Sequence, residues 1–154
     1  MAIKLIEGGV CAAQGFKAAG IHVGVKTHAA WKRDLALIVS DVDCAAAAVF
    51  TKNVVKAAPI HIDRKHLENG RARAIVANSG NANACAPNDL ANAQRMCAAV
   101  AKEVGCDVAD VVAASTGVIG QTLDIAPIAG GMDALCAGLS YEGNAAAGEG
   151  IMTT

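Results

Sequence analysis

Two segments of this sequence place residue types that do chemistry at spacings that would let them do it. Residues 78–84, Asn-Ser-Gly-Asn-Ala-Asn-Ala, alternate asparagine with glycine or alanine. Such residues tolerate left-handed backbone and can aim successive N–H groups into one concavity, where an anion or a carbonyl oxygen is held. Composition on its own favours the plainer reading, an asparagine-rich turn between two elements. The stretch carries neither the GKS or GKT of a Walker loop nor GxGxxG, so nucleotide binding is a weak reading. Residues 115–120, Ser-Thr-Gly-Val-Ile-Gly, are the second segment. A Thr-Gly pair at a sharp strand end can present backbone N–H groups and one hydroxyl to an oxygen that becomes negative during acyl transfer; one such donor is worth about 2.7–4 kcal/mol in the transition state. A structural turn accounts for the same residues equally well. Ser115 could instead be a nucleophile, but GxSxG is absent and no histidine has a spacing that marks it as the base.

Other reactive side chains make weaker patterns. The histidines at 22, 28, 61 and 66 include no HExxH and no pair four residues apart, which argues against a metal site. The six cysteines at 11, 44, 85, 97, 106 and 136 form no CxxC, so a zinc ribbon or a redox pair is not indicated. Most read as buried thiols, Cys97 and Cys136 on apolar helical stripes, and only their even number suggests disulfides. Acidic residues are scattered without a local acid/base pair. Lys52 and Lys56 are as readily solvated as turned toward a substrate, and no role is assigned to them.

These segments need elements to carry them. The first 60 residues hold short β-type runs, Phe16 to Lys26, Leu35 to Ser40 and Ala46 to Thr51, the last two joined by Asp-Val-Asp-Cys-Ala with its turn chemistry. That pattern predicts an antiparallel sheet. Asp63 stands where it would cap a short helix through Leu67 that stops at Asn69-Gly70, after which Ala72 to Ala77 reads as a buried strand leading into 78–84. From Asn88 the period becomes helical, with Leu90, Ala93, Cys97, Val100, Ala101 and Val104 on one face and Gly105 placed to end it. A strand over Asp110 to Ala114 then feeds 115–120. Asp124 caps a further helix with Pro127 in its first turn and Ile128, Met132, Leu135 and Leu139 on one side. Gly130-Gly131 weakens that helix by up to about 1 kcal/mol per glycine relative to alanine. Gly143 to Thr154 restarts a small-residue helix that breaks off at Ile-Met-Thr-Thr.

Composition bounds what these elements can build. The 154 residues are 54% hydrophobic and carry 13 Lys plus Arg against 14 Asp plus Glu, a net charge of -1. This fits one folded domain over residues 1–154 and excludes a disordered chain. No basic stripe or aromatic platform for nucleic acid stands out. No apolar run approaches the roughly 18–20 residues that span a bilayer, and the N-terminus lacks the pattern of a signal peptide, so a cytoplasmic setting is expected. Alanine accounts for 35 residues while Phe, Tyr and Trp total four, so the core is spread over small side chains that bury little area each. Such a thin core is expected to lean on another polypeptide.

Five stretches in order, GFKAAGIHVGVK (15–26), DLALIVSDVDCAAAAVFTKNVVKAAPI (34–60), ARAIVANSGNANAC (72–85), ASTGVIG (114–120) and GIMTT (150–154), resemble the ornithine acetyltransferase family of arginine biosynthesis. The resemblance covers nearly the whole chain. It implies an α+β fold, a layered α/β/β/α sandwich completed by a second chain. Members move an acetyl group from N-acetylornithine to glutamate, and some also accept acetyl-CoA for the acetylation of glutamate. Their precursor cuts itself before a threonine whose hydroxyl becomes the nucleophile at the start of the β chain.

By the same resemblance, Thr116 and Gly117 form the oxyanion hole, which agrees with the backbone argument above. Thr153 matches a substrate-contacting position, with Thr154 the choice if the register is off by one. No cofactor is needed. The family's self-cleavage threonine lies beyond Thr154, so this sequence reads as most of an α chain, inert alone, that joins a β chain in an α2β2 heterotetramer. A smaller departure is CAPND at 85–89, where the family more often has a Thr-Gly pair. Two other functions stay open: an amide hydrolase or aminopeptidase subunit with an N-terminal nucleophile, and a non-catalytic subunit whose asparagine-rich loop holds a small anion.

Overall fold

The structure is a computed structural model that describes residues 3–27, 29 and 31–152. Its frame is a sheet of four strands in the order β1-β2-β3-β4: β1 (Phe16–Ile21), β2 (Leu35–Ala45), β3 (Arg71–Asn81) and β4 (Val111–Val118). The first three are antiparallel neighbours, and β4 runs parallel to β3. A parallel partner requires a crossover, and helix α2 (Asp89–Val104) provides it between β3 and β4. The mixed α+β class expected from the sequence is what the chain adopts.

Strand alternation decides which residues form the core. Leu35, Leu37 and Val39 of β2, Ala74 and Val76 of β3, and Val111 and Ala113 of β4 share one face of the sheet. Met96, Cys97, Val100 and Ala101 of α2 cover that face, with Ile128, Met132 and Leu135 from α3 (Ala126–Gly130) and α4 (Met132–Ala137). α2 ends at Gly105, whose left-handed φ of 74° turns the chain out of the helix as its position predicts. Leu90, expected on the buried stripe, is half exposed, and Met96 occupies the core in its place. Asp124 accepts the Ala126 N–H at 3.0 Å, and the helix it starts divides at Gly131 into α3 and α4. None of the four aromatic residues belongs to the buried core, and Trp31 is 80% exposed. All six cysteines are free thiols.

The opposite face is only partly covered. α5 (Asn144–Ile151) lies on β1 and β2 there, with Ala18, Ala36 and Ala147 packed together. A Cβ on Gly20 would stand 1.9 Å from the Ala146 carbonyl oxygen, so glycine is what lets the helix rest on the strand backbone. Ile75, on the uncovered part, stays 42% exposed. Among the described residues no helix is long and apolar enough to cross a membrane.

Two expectations from the sequence are corrected. Asp41-Val42-Asp43-Cys44 is not a turn between strands; β2 continues through it, and residues 46–51 form no strand. The register shifts between Val39 and Cys44, where the Ser40 hydroxyl accepts the Val42 N–H, and Asp43 then pairs with Arg71 and Arg73 of the neighbouring strand. Such a bulge absorbs residues that look like turn formers. Asp63, in turn, caps nothing. α1 spans Ala58–His66, Asp63 lies inside it, and its Oδ1 accepts the N–H of Ala113 in β4 at 2.8 Å.

Burial pushes the Asp63 carboxyl up to about 6, although the Ala113 N–H and the neighbouring His66 favour its charged form. The folded chain therefore holds this proton more tightly than an unfolded one. The stability tied to the neutral acid is fully present below the ordinary carboxylate range and is lost as pH rises through about 6. At one pKa unit per about 1.4 kcal/mol, Asp63→Asn is expected to gain up to about 3 kcal/mol over the wild type as pH goes from 4 to 7. Urea midpoints of both proteins across that range test this, and a difference that does not change with pH contradicts it.

Candidate functional site

The parallel register of β3 and β4 brings the two chemically suggestive segments side by side. Asn78 pairs with Ser115, Ser79 with Thr116, and Gly80 with Gly117. Both segments lie largely inside strands: 78–81 completes β3 and 115–118 completes β4, so neither is the loop expected from composition. Side chains bind the pair together. Ser115 Oγ donates to Asn78 Oδ1 at 2.6 Å, and Asn78 Nδ2 donates to the Asn81 carbonyl at 2.9 Å. With its hydroxyl committed to a buried asparagine, Ser115 has the geometry of a strand clasp and not of an activated nucleophile.

Beyond the clasp, β4 departs from regular strand. Gly117 has φ 136° and meets the backbone of Gly80 and Asn81, where the register also shifts. A Cβ at Gly117 would lie 2.3 Å from the Gly80 carbonyl carbon and 2.5 Å from the Asn81 nitrogen. Both the torsion and the contact demand glycine. Thr116 shares its strand face with Ser79, on the side away from α2, and is exposed. The asparagines that follow build the adjoining loop. Asn81 donates through Nδ2 to the Gln121 carbonyl, its Oδ1 accepts the Asn83 N–H at 2.7 Å, and Asn83 Nδ2 donates to the Asp89 carbonyl. Asn83, Cys85 and Asn88 all have positive φ, which asparagine tolerates better than cysteine does.

A third segment, which reasoning from the sequence passed over, closes around the same strand ends. Asp34, fully buried, accepts the N–H groups of Val23, Gly24 and Lys26 at 2.7, 3.1 and 2.9 Å. These bonds fold residues 23–26 into a loop against Gly80. His22 Nδ1 is 3.1 Å from the same carboxylate. Lys26, also buried, donates through Nζ to the carbonyls of Arg33 and Met152, and burial holds its pKa below the usual lysine range. Ser79 Oγ donates to the Gly150 carbonyl at 2.7 Å. Two side chains beside the site thus hold the stretch that leads to Thr153, which itself lies outside the described residues. The available signal was an aspartate opening an apolar strand after a glycine-bearing loop, which reads as an ordinary strand start.

A cavity of about 230 Å³ opens at this end of the sheet, lined by Gly24, Val25, Gly80, Asn81, Val118 and Gln121 among others. Thr116 and Gly117 stand next to it on β4 without lining it. Among the described residues, no group of His, Cys, Asp or Glu is arranged to hold a metal ion. At the ends of two parallel strands the chain places backbone N–H groups and one exposed hydroxyl, neutral donor types of the kind that can stabilise a developing oxyanion.

Comparison with known proteins points to one source for these features. A sequence model of the ArgJ family matches residues 17–154. The arginine biosynthesis bifunctional protein ArgJ of Symbiobacterium thermophilum is 46% identical over 153 residues, which is 99% of this chain and 38% of that protein. The protein of the same name from Gloeobacter violaceus is 46% identical over 151 residues. The chain therefore spans well under half the length of these curated relatives. Among solved structures, arginine biosynthesis bifunctional protein argJ of Bacillus halodurans superposes with a TM-score of 0.84 at 37% identity, covering 94% of this chain and 75% of that one. Ornithine acetyltransferase of Mycobacterium tuberculosis, solved with ornithine, superposes with a TM-score of 0.89 at 37% identity and covers 79% of that chain.

Proposed function

The chain belongs to the ArgJ family, and from that membership we propose that it supplies the oxyanion-stabilising part of an acetyltransferase of arginine biosynthesis. The reaction moves an acetyl group from N-acetylornithine to glutamate, with acetyl-CoA as a second candidate donor. A threonine at the head of a β chain, cut from the same precursor, attacks the acetyl carbonyl while its own free amine takes the hydroxyl proton. The carbonyl oxygen becomes negative and is received by the Thr116 hydroxyl and the Gly117 N–H. Ornithine leaves, the glutamate amine attacks the acyl-threonine, and the nucleophile is restored without a cofactor. Thr153 is the substrate-contacting residue of the same proposal.

One observation carries this reading: Gly117 is pinned by backbone contact with Gly80 beside an exposed Thr116, so the backbone donor is held in place before any substrate arrives. Preorganised donors of that kind cost no reorganisation at the moment of reaction. Two further observations support a partner chain. Ile75 on the half-covered sheet face and Val49, Val54 and Val55 between β2 and α1 are all exposed, apolar side chains that a second chain would cover. The chain also fills 75% of the Bacillus halodurans chain but only 38% of a curated relative, so that solved chain is about half as long as the curated one. A precursor divided in two accounts for that ratio. The second sheet of an α/β/β/α sandwich, an α2β2 assembly, inactivity of this chain alone and a cytoplasmic setting belong to the same proposal.

The deciding experiment is an intact mass spectrum, under denaturing conditions, of the purified product of the complete gene. Two chains, the second beginning with threonine, are expected. A single uncut polypeptide would sink the proposal and leave Thr116 and Gly117 as a strand end that binds at most a small anion. If cleavage occurs, acetyl transfer to glutamate measured against hydrolysis of N-acetylornithine separates a transferase from an amide hydrolase.

A further inference from the structure

Among the described residues β4 is the last strand of the sheet, and no fifth strand bonds its outer edge. Unpaired edge groups need another partner when they are buried. α1 supplies it with side chains: Asp63 Oδ1 accepts the Ala113 N–H at 2.8 Å, and His66 Nδ1 donates to the Val111 carbonyl at 2.7 Å. Three residues of helix rise about 4.5 Å and two residues of strand about 6.6 Å, close enough for both bonds to form together. Asp63 is 5% exposed and His66 8%.

The pair could be mistaken for part of a catalytic cluster, because Cys97 of α2 faces Asp63. Burial first, and the aspartate's charge second, push that thiol up to about 12, and Cys97 is fully buried, so it is no nucleophile. The work of Asp63 and His66 is directed at β4. On the inner edge the ladder to β3 is regular from Ala74–Val111 to Gly80–Gly117 and then shifts at Gly80–Asn81. Thr116 and Gly117 follow Ala113 by three and four residues on the same strand, so a displacement of β4 at Ala113 is carried along the strand to them.

We propose that Asp63 is a positioning residue for the acyl-transfer site, gripping β4 at Ala113 and so setting where Thr116 and Gly117 meet the oxyanion. His66 is its companion on Val111. The inference rests on the proposed acyl-transfer reading for its functional half, while the grip on β4 can be read without any reaction.

The test uses the full-length gene product and two readouts. Active sites are titrated by the burst of ornithine release, and kcat is expressed per active site. Asp63→Ala is expected to lower that kcat by about 10–100-fold with KM within about threefold, because misplacement by about 1 Å costs rate and not binding. Asp63→Asn, which keeps an acceptor for Ala113, is expected to stay within about threefold of the wild type in the same assay. Amide exchange at Ser115–Val118 is the second readout, expected about tenfold or more faster in Asp63→Ala and restored in Asp63→Asn. Fewer active sites with wild-type kcat per site would reduce Asp63 to a stability role and overturn the proposal. Unchanged exchange would overturn it even if the wild type transferred no acetyl group, an outcome that by itself counts against the functional reading alone. If Asp63→Ala does not fold, His66→Ala serves in its place, since it frees only a carbonyl; wild-type kcat and exchange in that variant would likewise overturn the proposal.

Discussion

Thr116→Ala, made in the full-length gene product, is expected to lower the kcat of acetyl transfer by roughly 10²–10³. The argument begins with where the side chain is. Thr116 sits on the sheet face away from α2, exposed and outside the core cluster, so its methyl and hydroxyl contribute little to the folded state. Exposed substitutions away from caps and networks usually change stability by no more than about 0.5 kcal/mol. The thermal midpoint should therefore hold while turnover falls. The oxyanion exists only in the transition state, so the loss belongs in kcat, with KM nearly unchanged. Thr116→Ser keeps the hydroxyl and should recover most of the rate. Steady-state kinetics on the three proteins, with thermal melts alongside, decide the matter. Wild-type turnover in Thr116→Ala would remove the hydroxyl from the mechanism and leave the Gly117 N–H as donor; a parallel fall in melting temperature would assign Thr116 to the fold.

Much of the frame could be read from local pattern. Leu35, Leu37 and Val39 alternate in β2, and Ala93, Cys97, Val100 and Ala101 recur at helical spacing in α2; both signals are short-range and both elements formed. What stayed hidden depends on partners far along the chain. Asp41 to Cys44 looks like a turn because aspartates favour turns, but the cross-strand partners Arg71 and Arg73 keep the segment extended. Asp63 resembles a helix cap by residue type, and only the edge of β4, some 50 residues further on, explains why it lies inside α1. Asp34 gave no local sign of the loop it holds. The two suggestive segments were visible as segments; that they lie as adjacent parallel strands is a fact of register. The family resemblance supplied roles for Thr116, Gly117 and Thr153, and the structure gives a physical setting to the first two.

Gly117→Ala should damage the fold and the proposed site together. The new Cβ would stand 2.3, 2.5 and 2.6 Å from the Gly80 carbon, the Asn81 nitrogen and the Gly80 oxygen. All three are backbone atoms, so no rotamer change relieves the clash and the strands must part. The φ of 136° adds a conformational cost of about 1–3 kcal/mol, and overpacking a tight contact adds about 1–3 kcal/mol more. The same separation moves the N–H assigned to the proposed oxyanion hole, and a shift of about 1 Å can cost about 10² in rate. A fall in kcat beyond about 10³, with a lower urea midpoint, is the expected result once loss of the donor is included. Gly120→Ala is the matched control. Gly120 also has positive φ, 82°, but a Cβ there meets nothing within 4 Å. It should lose about 1–3 kcal/mol of stability to conformation alone while kcat per active site is retained. If the two variants lose stability equally and both keep wild-type kcat, the Gly80–Gly117 contact yields without disturbing the donors, and a rigid oxyanion hole at this strand end is the wrong description of the site.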